Sequence, residues 1–136
     1  MHVGVAVDTP EGLVVPVIRD VPSLSLVHLS TRCRELVQRA LDKTLTPQDM
    51  AGGTFTVTNL GAFGVDAFTP IINYPQCAIL GIGRIDRRPV VREDRIVPGH
   101  RLTLSLTFDH RIVDGAPAAR FLAALSRRIE SPLPGF

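Results

Sequence analysis

A strand that runs into a corner and then a helix dominates the last third of this chain. Leu102-Thr103-Leu104-Ser105-Leu106-Thr107-Phe108 alternates apolar and small polar residues at period two, the mark of a half-buried strand. From Ala116 to Ile129 the apolar residues recur at helical spacing, with Phe121, Leu122, Leu125 and Ile129 on one face. Between the two lies Asp109-His110-Arg111-Ile112-Val113-Asp114-Gly115. Asp114 falls at the N-cap position of the helix, and Gly115 lets the chain turn sharply. A histidine on such a corner is held by the scaffold yet open to a substrate, which suits a general base. The spacing alone favours a plainer reading, with Asp114 a cap only and His110 a buried polar residue bonded to its own backbone, because His-x-x-x-Asp is a weak pattern.

At 136 residues the chain is one domain, able to bury roughly two thirds of its unfolded surface. Apolar residues make up 45% and charged ones 21%, the balance of a globular chain rather than a disordered one. The net charge of +2 comes without a long basic run, which argues against nucleic acid as a partner. All but one of the 15 basic residues are arginine, and genome composition explains this better than phosphate binding does. Cys33 and Cys77 are too few for a metal cluster or a disulfide framework, so both are expected to be reduced core thiols of a cytoplasmic protein. His2, His28, His100 and His110 show no ligand spacing, so no metal is expected. The first residues lack the layout of a signal peptide, and no apolar run is long enough to span a membrane.

The alternation of Val3, Val5 and Val7, a turn at residues 8–12 and the run Leu13 to Ile18 predict an opening hairpin. Ser25 to Lys43 reads as an amphipathic helix with Leu29, Cys33, Leu36, Val37, Ala40 and Leu41 inward and Ser25 as its cap. His28 occupies the place where a capping box would carry Glu or Gln, so it reads as a capping or surface histidine. Thr46 and Pro47 start a short helix. A strand follows at Thr54 to Thr58, then a long loop over residues 62–76, a nearly uniform apolar strand from Cys77 to Ile85, and a turn at Arg92-Glu93-Asp94-Arg95. Gly81-Ile82-Gly83 is read as close backbone packing, since no helix start follows it. This order predicts a mixed α/β domain without the regular alternation of a doubly wound sheet.

Three segments together resemble the catalytic domain of the dihydrolipoamide acyltransferases, the E2 components of 2-oxo acid dehydrogenase complexes. They are residues 5–18, residues 52–61 (Gly52-Gly53-Thr54-Phe55-Thr56-Val57-Thr58-Asn59-Leu60-Gly61) and Asp109 to Gly115, with Phe68-Thr69-Pro70-Ile71-Ile72-Asn73 between the last two. The resemblance implies a chloramphenicol-acetyltransferase-like fold, a mixed-sheet two-layer sandwich. Residues 1–136 would be the C-terminal part of such a domain, truncated at its N-terminal side and without lipoyl or subunit-binding domains.

The resemblance also implies chemistry. The family moves an acyl group between coenzyme A and dihydrolipoamide, whose lipoyl group another domain or chain supplies. His110 matches the family's catalytic histidine, a base suited to deprotonating a thiol. Thr58 lies where the family places a Ser or Thr hydroxyl that steadies the tetrahedral oxyanion. Asp114 matches the second motif residue and would hold the local geometry and the environment of the histidine. Arg111 is read as half of a structural ion pair. The implied partners are further copies in a homotrimer whose sites lie between subunits, larger E2 cores built from such trimers, lipoyl domains and full-length E2 chains. No particular residue is assigned to coenzyme A. The competing reading is a catalytically silent E2-like subunit or fragment that trimerises or joins complete cores. A hydrolase or metal site pairing His110 with His100 or His2 is a weaker third.

Overall fold

The computed structural model of the protein describes residues 1–131. Its centre is a mixed five-stranded sheet in the order β4-β1-β5-β6-β9. β1 (Val3–Val5) pairs antiparallel with β4 (Val17–Ile18) and parallel with β5 (Phe55–Asn59). β5 is parallel to β6 (Ala78–Ile82), and β6 is antiparallel to β9 (Leu104–Phe108). Two hairpins stand outside this sheet: β2 (Val7–Thr9) with β3 (Gly12–Val14), and β7 (Asp86–Arg92) with β8 (Arg95–Arg101). Of the helices, α1 (Leu26–Leu41) packs at the β4 side of the sheet and α3 (Gly115–Glu130) against β9, while α2 (Pro47–Met50) is a single turn. The mixed α/β architecture expected from the element order is present.

The core follows the sequence. Parallel strands in the middle of a sheet are covered on both faces and read as unbroken apolar runs, and Ala78, Ile79 and Leu80 of β6 are buried. Gly81 continues that strand without a side chain because the Phe68 ring lies over it, 3.0 Å from where a Cβ would stand. Thr56 of β5 is fully buried and donates its hydroxyl to Gln76 Oε1 at 2.6 Å, so the polar group is satisfied. On α1, Ser25 Oγ accepts the His28 amide at 3.3 Å and lies 3.0 Å from His28 Nδ1, which places His28 in its expected capping role. Leu36 and Ala40 are buried on the predicted face, but Leu41 is 46% exposed. Thr46 and Asp49 close a reciprocal capping box around α2.

Two differences from the sequence reading have clear causes. The opening hairpin is split: β1 and β4 belong to the main sheet, whereas β2 and β3 form a separate ribbon with Val7 opposite Val14 and Thr9 opposite Gly12. The turn at residues 92–95 joins a hairpin that the sequence does not advertise. Pro89 faces Pro98 in it, and proline normally argues against a strand interior. A two-stranded ribbon has only edges, so both prolines are accommodated. Glu93 and Asp94, with φ of 47° and 59°, supply the left-handed pair that a tight hairpin turn needs.

Candidate active site

The strand–corner–helix unit forms much as its residues predict. β9 ends at Phe108, the Asp109 amide continues the pairing by donating to the Cys77 carbonyl at 2.8 Å, and the chain then turns into α3. Ile112 and Val113 both donate their amides to the Asp109 carbonyl at 3.0 Å, so the corner is a compact hydrogen-bonded turn. His110 rides on its outside, 71% exposed, with its ring 5.6 Å from that of Phe108. The plainer reading of His110 as a buried polar residue does not hold.

Asp114 stands at the N-cap position of α3 with extended backbone, as its place predicts, but its side chain makes no capping hydrogen bond. It is 85% exposed, and Oδ1 lies 3.9 Å from His110 Nδ1, beyond hydrogen-bond reach yet close enough to shape the local field. The helix it heads buries Ala118, while Phe121 and Ile129 of the predicted inward face are 46% and 50% exposed. Phe121 meets Phe55 edge-on, ring centres 6.0 Å apart.

Thr58 is half-buried near the end of β5, on the rung Thr58–Gly81–Ser105 that crosses three strands. It borders a cavity of about 460 Å³ whose walls include Leu13, Val15, Phe68, Ile71 and Asn73. The alternation of side chains sends Phe55 and Val57 to the other face, where they line a larger apolar groove with Phe108, Val113 and Phe121. Thr58 therefore serves the loop side of the sheet and the corner belongs to the α3 side.

The two also sit at opposite ends. β9 runs antiparallel to β6, and His110 comes five residues after Ser105, the residue level with Thr58. Five residues of strand and two inter-strand steps put the backbones roughly 15–20 Å apart. Neither side chain can bridge that gap, so a single chain does not bring its histidine and its hydroxyl together.

The one feature of the corner missed by pattern reading is Asp109. Its carboxylate accepts the Arg111 amide at 2.9 Å and the Arg111 guanidinium at 2.9 Å (Nε to Oδ1) and 2.6 Å (Nη2 to Oδ2). Those bonds hold its pKa down at about 2, the side-chain bond from Arg111 being the largest cause and the amide bond the next. Arg111 is thus the structural ion-pair partner expected of it. The signal available in the sequence was an aspartate two residues before an arginine at a strand end, a pattern prone to local turn bonds.

Other charged groups fall away from the corner. Asp66, Asp86, Arg84 and Arg88 form one ion-pair network beside the long loop, which lowers the pKa of both aspartates, chiefly through bonds from Arg84 and Arg88 respectively. His2 Nδ1 accepts the Asp20 amide at 2.9 Å, a structural role. Among the described residues no group of three or more His, Cys, Asp or Glu side chains is placed to hold a metal. None of the described helices is long and apolar enough to cross a membrane.

Comparison with known proteins agrees with this architecture. The acetyltransferase component of the acetoin cleaving system of Bacillus subtilis is 48% identical over 132 residues, covering 97% of this chain and 33% of that protein. The acetyltransferase component of the pyruvate dehydrogenase complex of Acholeplasma laidlawii is 45% identical over 132 residues, covering 97% of this chain and 24% of that one. The solved structure of dihydrolipoamide acetyltransferase from Azotobacter vinelandii, in which the roles of a serine, a histidine and an asparagine in the catalytic mechanism were investigated, superposes with a TM-score of 0.93 at 45% identity. That match covers 96% of this chain and 54% of the Azotobacter chain, so the protein spans a third or less of these two curated relatives and about half of the solved core. With residues 1–134 matching the 2-oxoacid dehydrogenases acyltransferase (catalytic domain) family, the chain belongs to that family.

Proposed function

We propose that this chain is an acyl-transfer unit of a 2-oxo acid dehydrogenase complex, moving an acyl group between coenzyme A and dihydrolipoamide at a site shared between two subunits. The observation that carries the reading is the pairing of a corner histidine with a strand hydroxyl at intervals seen in a relative. In the Azotobacter enzyme the serine, histidine and asparagine are separated by the same intervals as Thr58, His110 and Asp114 here. A threonine keeps the hydroxyl of serine, and an aspartate keeps the size of asparagine while adding a charge.

In this mechanism the attacking thiol gives its proton to the exposed imidazole of His110 as sulfur adds to the thioester carbonyl. The oxygen of the tetrahedral intermediate takes a hydrogen bond from the Thr58 hydroxyl of a neighbouring subunit. Collapse expels the other thiolate, which recovers the proton from His110. Losing such an oxyanion donor costs on the order of 10²–10³ in rate. Asp114 stands beside the ring, its Oδ1 3.9 Å from Nδ1. Both thiols are substrates, and no side chain is assigned to either carrier.

Because histidine and hydroxyl cannot meet within one chain, the smallest competent assembly is an oligomer with both kinds of subunit surface facing, for which a cyclic trimer is the proposed form. Larger cores of such trimers, capture of lipoyl domains and a cytoplasmic setting go with this reading. The test is acyl transfer from acetyl-, succinyl- and isobutyryl-CoA to free dihydrolipoamide, with His110→Ala alongside. Turnover that vanishes in the variant supports the reading and identifies the acyl class. No turnover above that of the variant, in a folded oligomer, favours a silent assembly subunit, whereas full turnover in His110→Ala removes His110 as the base.

A further inference from the structure

The turn that carries His110 is organised by one residue to which the mechanism above gives no role. Asp109 anchors itself through its amide to the Cys77 carbonyl, and its carbonyl accepts the amides of Ile112 and Val113. Its carboxylate, only 17% exposed, accepts the remaining turn amide, that of Arg111, together with the Arg111 guanidinium. Every backbone donor from residue 111 to 113 therefore ends on Asp109, and His110 sits at the centre of that loop of bonds. Among the described residues no side-chain hydrogen bond directs the histidine ring, which lies 5.6 Å from the Phe108 ring, with its Nδ1 3.9 Å from Asp114 Oδ1.

We propose that Asp109 is the positioning residue for His110, setting the direction of the imidazole through the turn, with Arg111 as the strap that orients the carboxylate. The inference rests on His110 being the base. Arg111 is 85% exposed, and an ion pair in water contributes little attraction of its own. Its effect is geometric: two oxygens gripped by one planar guanidinium leave Oδ1 turned toward the Arg111 amide. A catalytic group displaced by about 1 Å can cost about 10²-fold in rate, so a turn of this kind is a functional element rather than a decoration of the fold.

The experiment measures kcat and both KM values of the assembled protein for Asp109→Ala, Asp109→Asn and His110→Ala, with circular dichroism and oligomer mass as controls. Asp109→Ala is expected to lower kcat by about 10–10²-fold with each KM nearly unchanged. Asp109→Asn keeps an oxygen for the Arg111 amide and is expected to recover most of that loss, a rescue that loss of global stability alone does not produce. A folded Asp109→Ala protein with the parent kcat, or with a change confined to KM, overturns the inference when His110→Ala is silent. Parent turnover in His110→Ala instead removes the assignment of the base, so the two failures are separable. If Asp109→Ala does not fold, the double variant Asp109→Asn with Arg111→Ala decides: a tenfold fall in kcat at constant KM supports positioning, and an unchanged kcat overturns it.

Discussion

Thr58 and His110 lie at opposite ends of the central sheet and serve opposite faces of it, although Thr58 belongs to β5 and His110 to the corner after β9, the two strands that flank β6. Their separation is fixed by register, not by side-chain conformation, so no rotamer change can close it. A chain that uses both must meet another copy. Mixing two defective proteins tests this directly. His110→Ala and Thr58→Ala are each expected to be severely impaired, the latter by on the order of 10²–10³-fold. Co-assembled in equal amounts, about a quarter of the interfaces join an intact histidine to an intact hydroxyl, so about a quarter of the parent turnover is expected to return. A mixture no more active than its components would place both groups' work within single chains, or nowhere.

The exposed position of Asp114 leads to a second expectation. Its side chain caps nothing and stands 3.9 Å from His110 Nδ1 in water. A charge in that setting shifts rates by about fivefold at most. Asp114→Asn is therefore expected to keep kcat within that range, consistent with the asparagine at the same interval in the Azotobacter enzyme. Steady-state kinetics of this variant beside Asp114→Ala separate charge from shape, and a Asp114→Asn protein as poor as His110→Ala would make the carboxylate charge essential.

What the sequence makes legible here is local and periodic. The β9–corner–α3 unit, the Ser25 cap with His28 and the uniform run of β6 are each encoded within a few residues, and each forms where expected. The hairpin of β7 and β8 escapes because its evidence is negative, a Pro89–Pro98 pair amid arginines, and only the pairing itself reveals why proline is tolerated. The exposure of Phe121 and Ile129 escapes for another reason. Periodicity shows which face of a helix is apolar but not what covers it. The distance between Thr58 and His110 depends on strand order and register, neither of which any single segment encodes.

The carboxylate of Asp109 also predicts a pH dependence of stability. Its pKa is held near 2 in the folded protein by Arg111, against about 3.9 for an unperturbed aspartate. A depressed folded pKa means the unfolded chain binds the proton more readily, so the contribution is complete above about pH 4 and fades as pH falls toward 2. Asp109→Asn removes the titrating group. The gap in Tm between parent and variant is expected to be largest near neutrality and to narrow over that acid window. A gap constant from pH 6 to pH 2 would show that the Arg111 pair does not contribute to stability.

The final expectation concerns the packing that holds the far end of β5. Gly61 lies against the backbone of Gly83 and Arg84, where a Cβ would come 2.7 Å from the Gly83 carbonyl oxygen. At Gly83 a Cβ would overlap the carbonyl oxygen of Asp66, a backbone atom that cannot swing aside. The loop that follows Thr58 thus presses directly on the chain leaving β6, and Arg84 bonded to Asp66 fastens the same contact from its side chain. Gly83→Ala forces these backbones apart and is expected to destabilise the protein by about 1–3 kcal/mol, the range for overpacking. At Gly64, which has φ of 80° and open space where its Cβ would stand, alanine brings only backbone strain, about 1 kcal/mol. Chemical denaturation of the two variants measures the difference. A Gly83→Ala protein as stable as the parent would mean that the Thr58 loop is not packed against the β6 exit in solution.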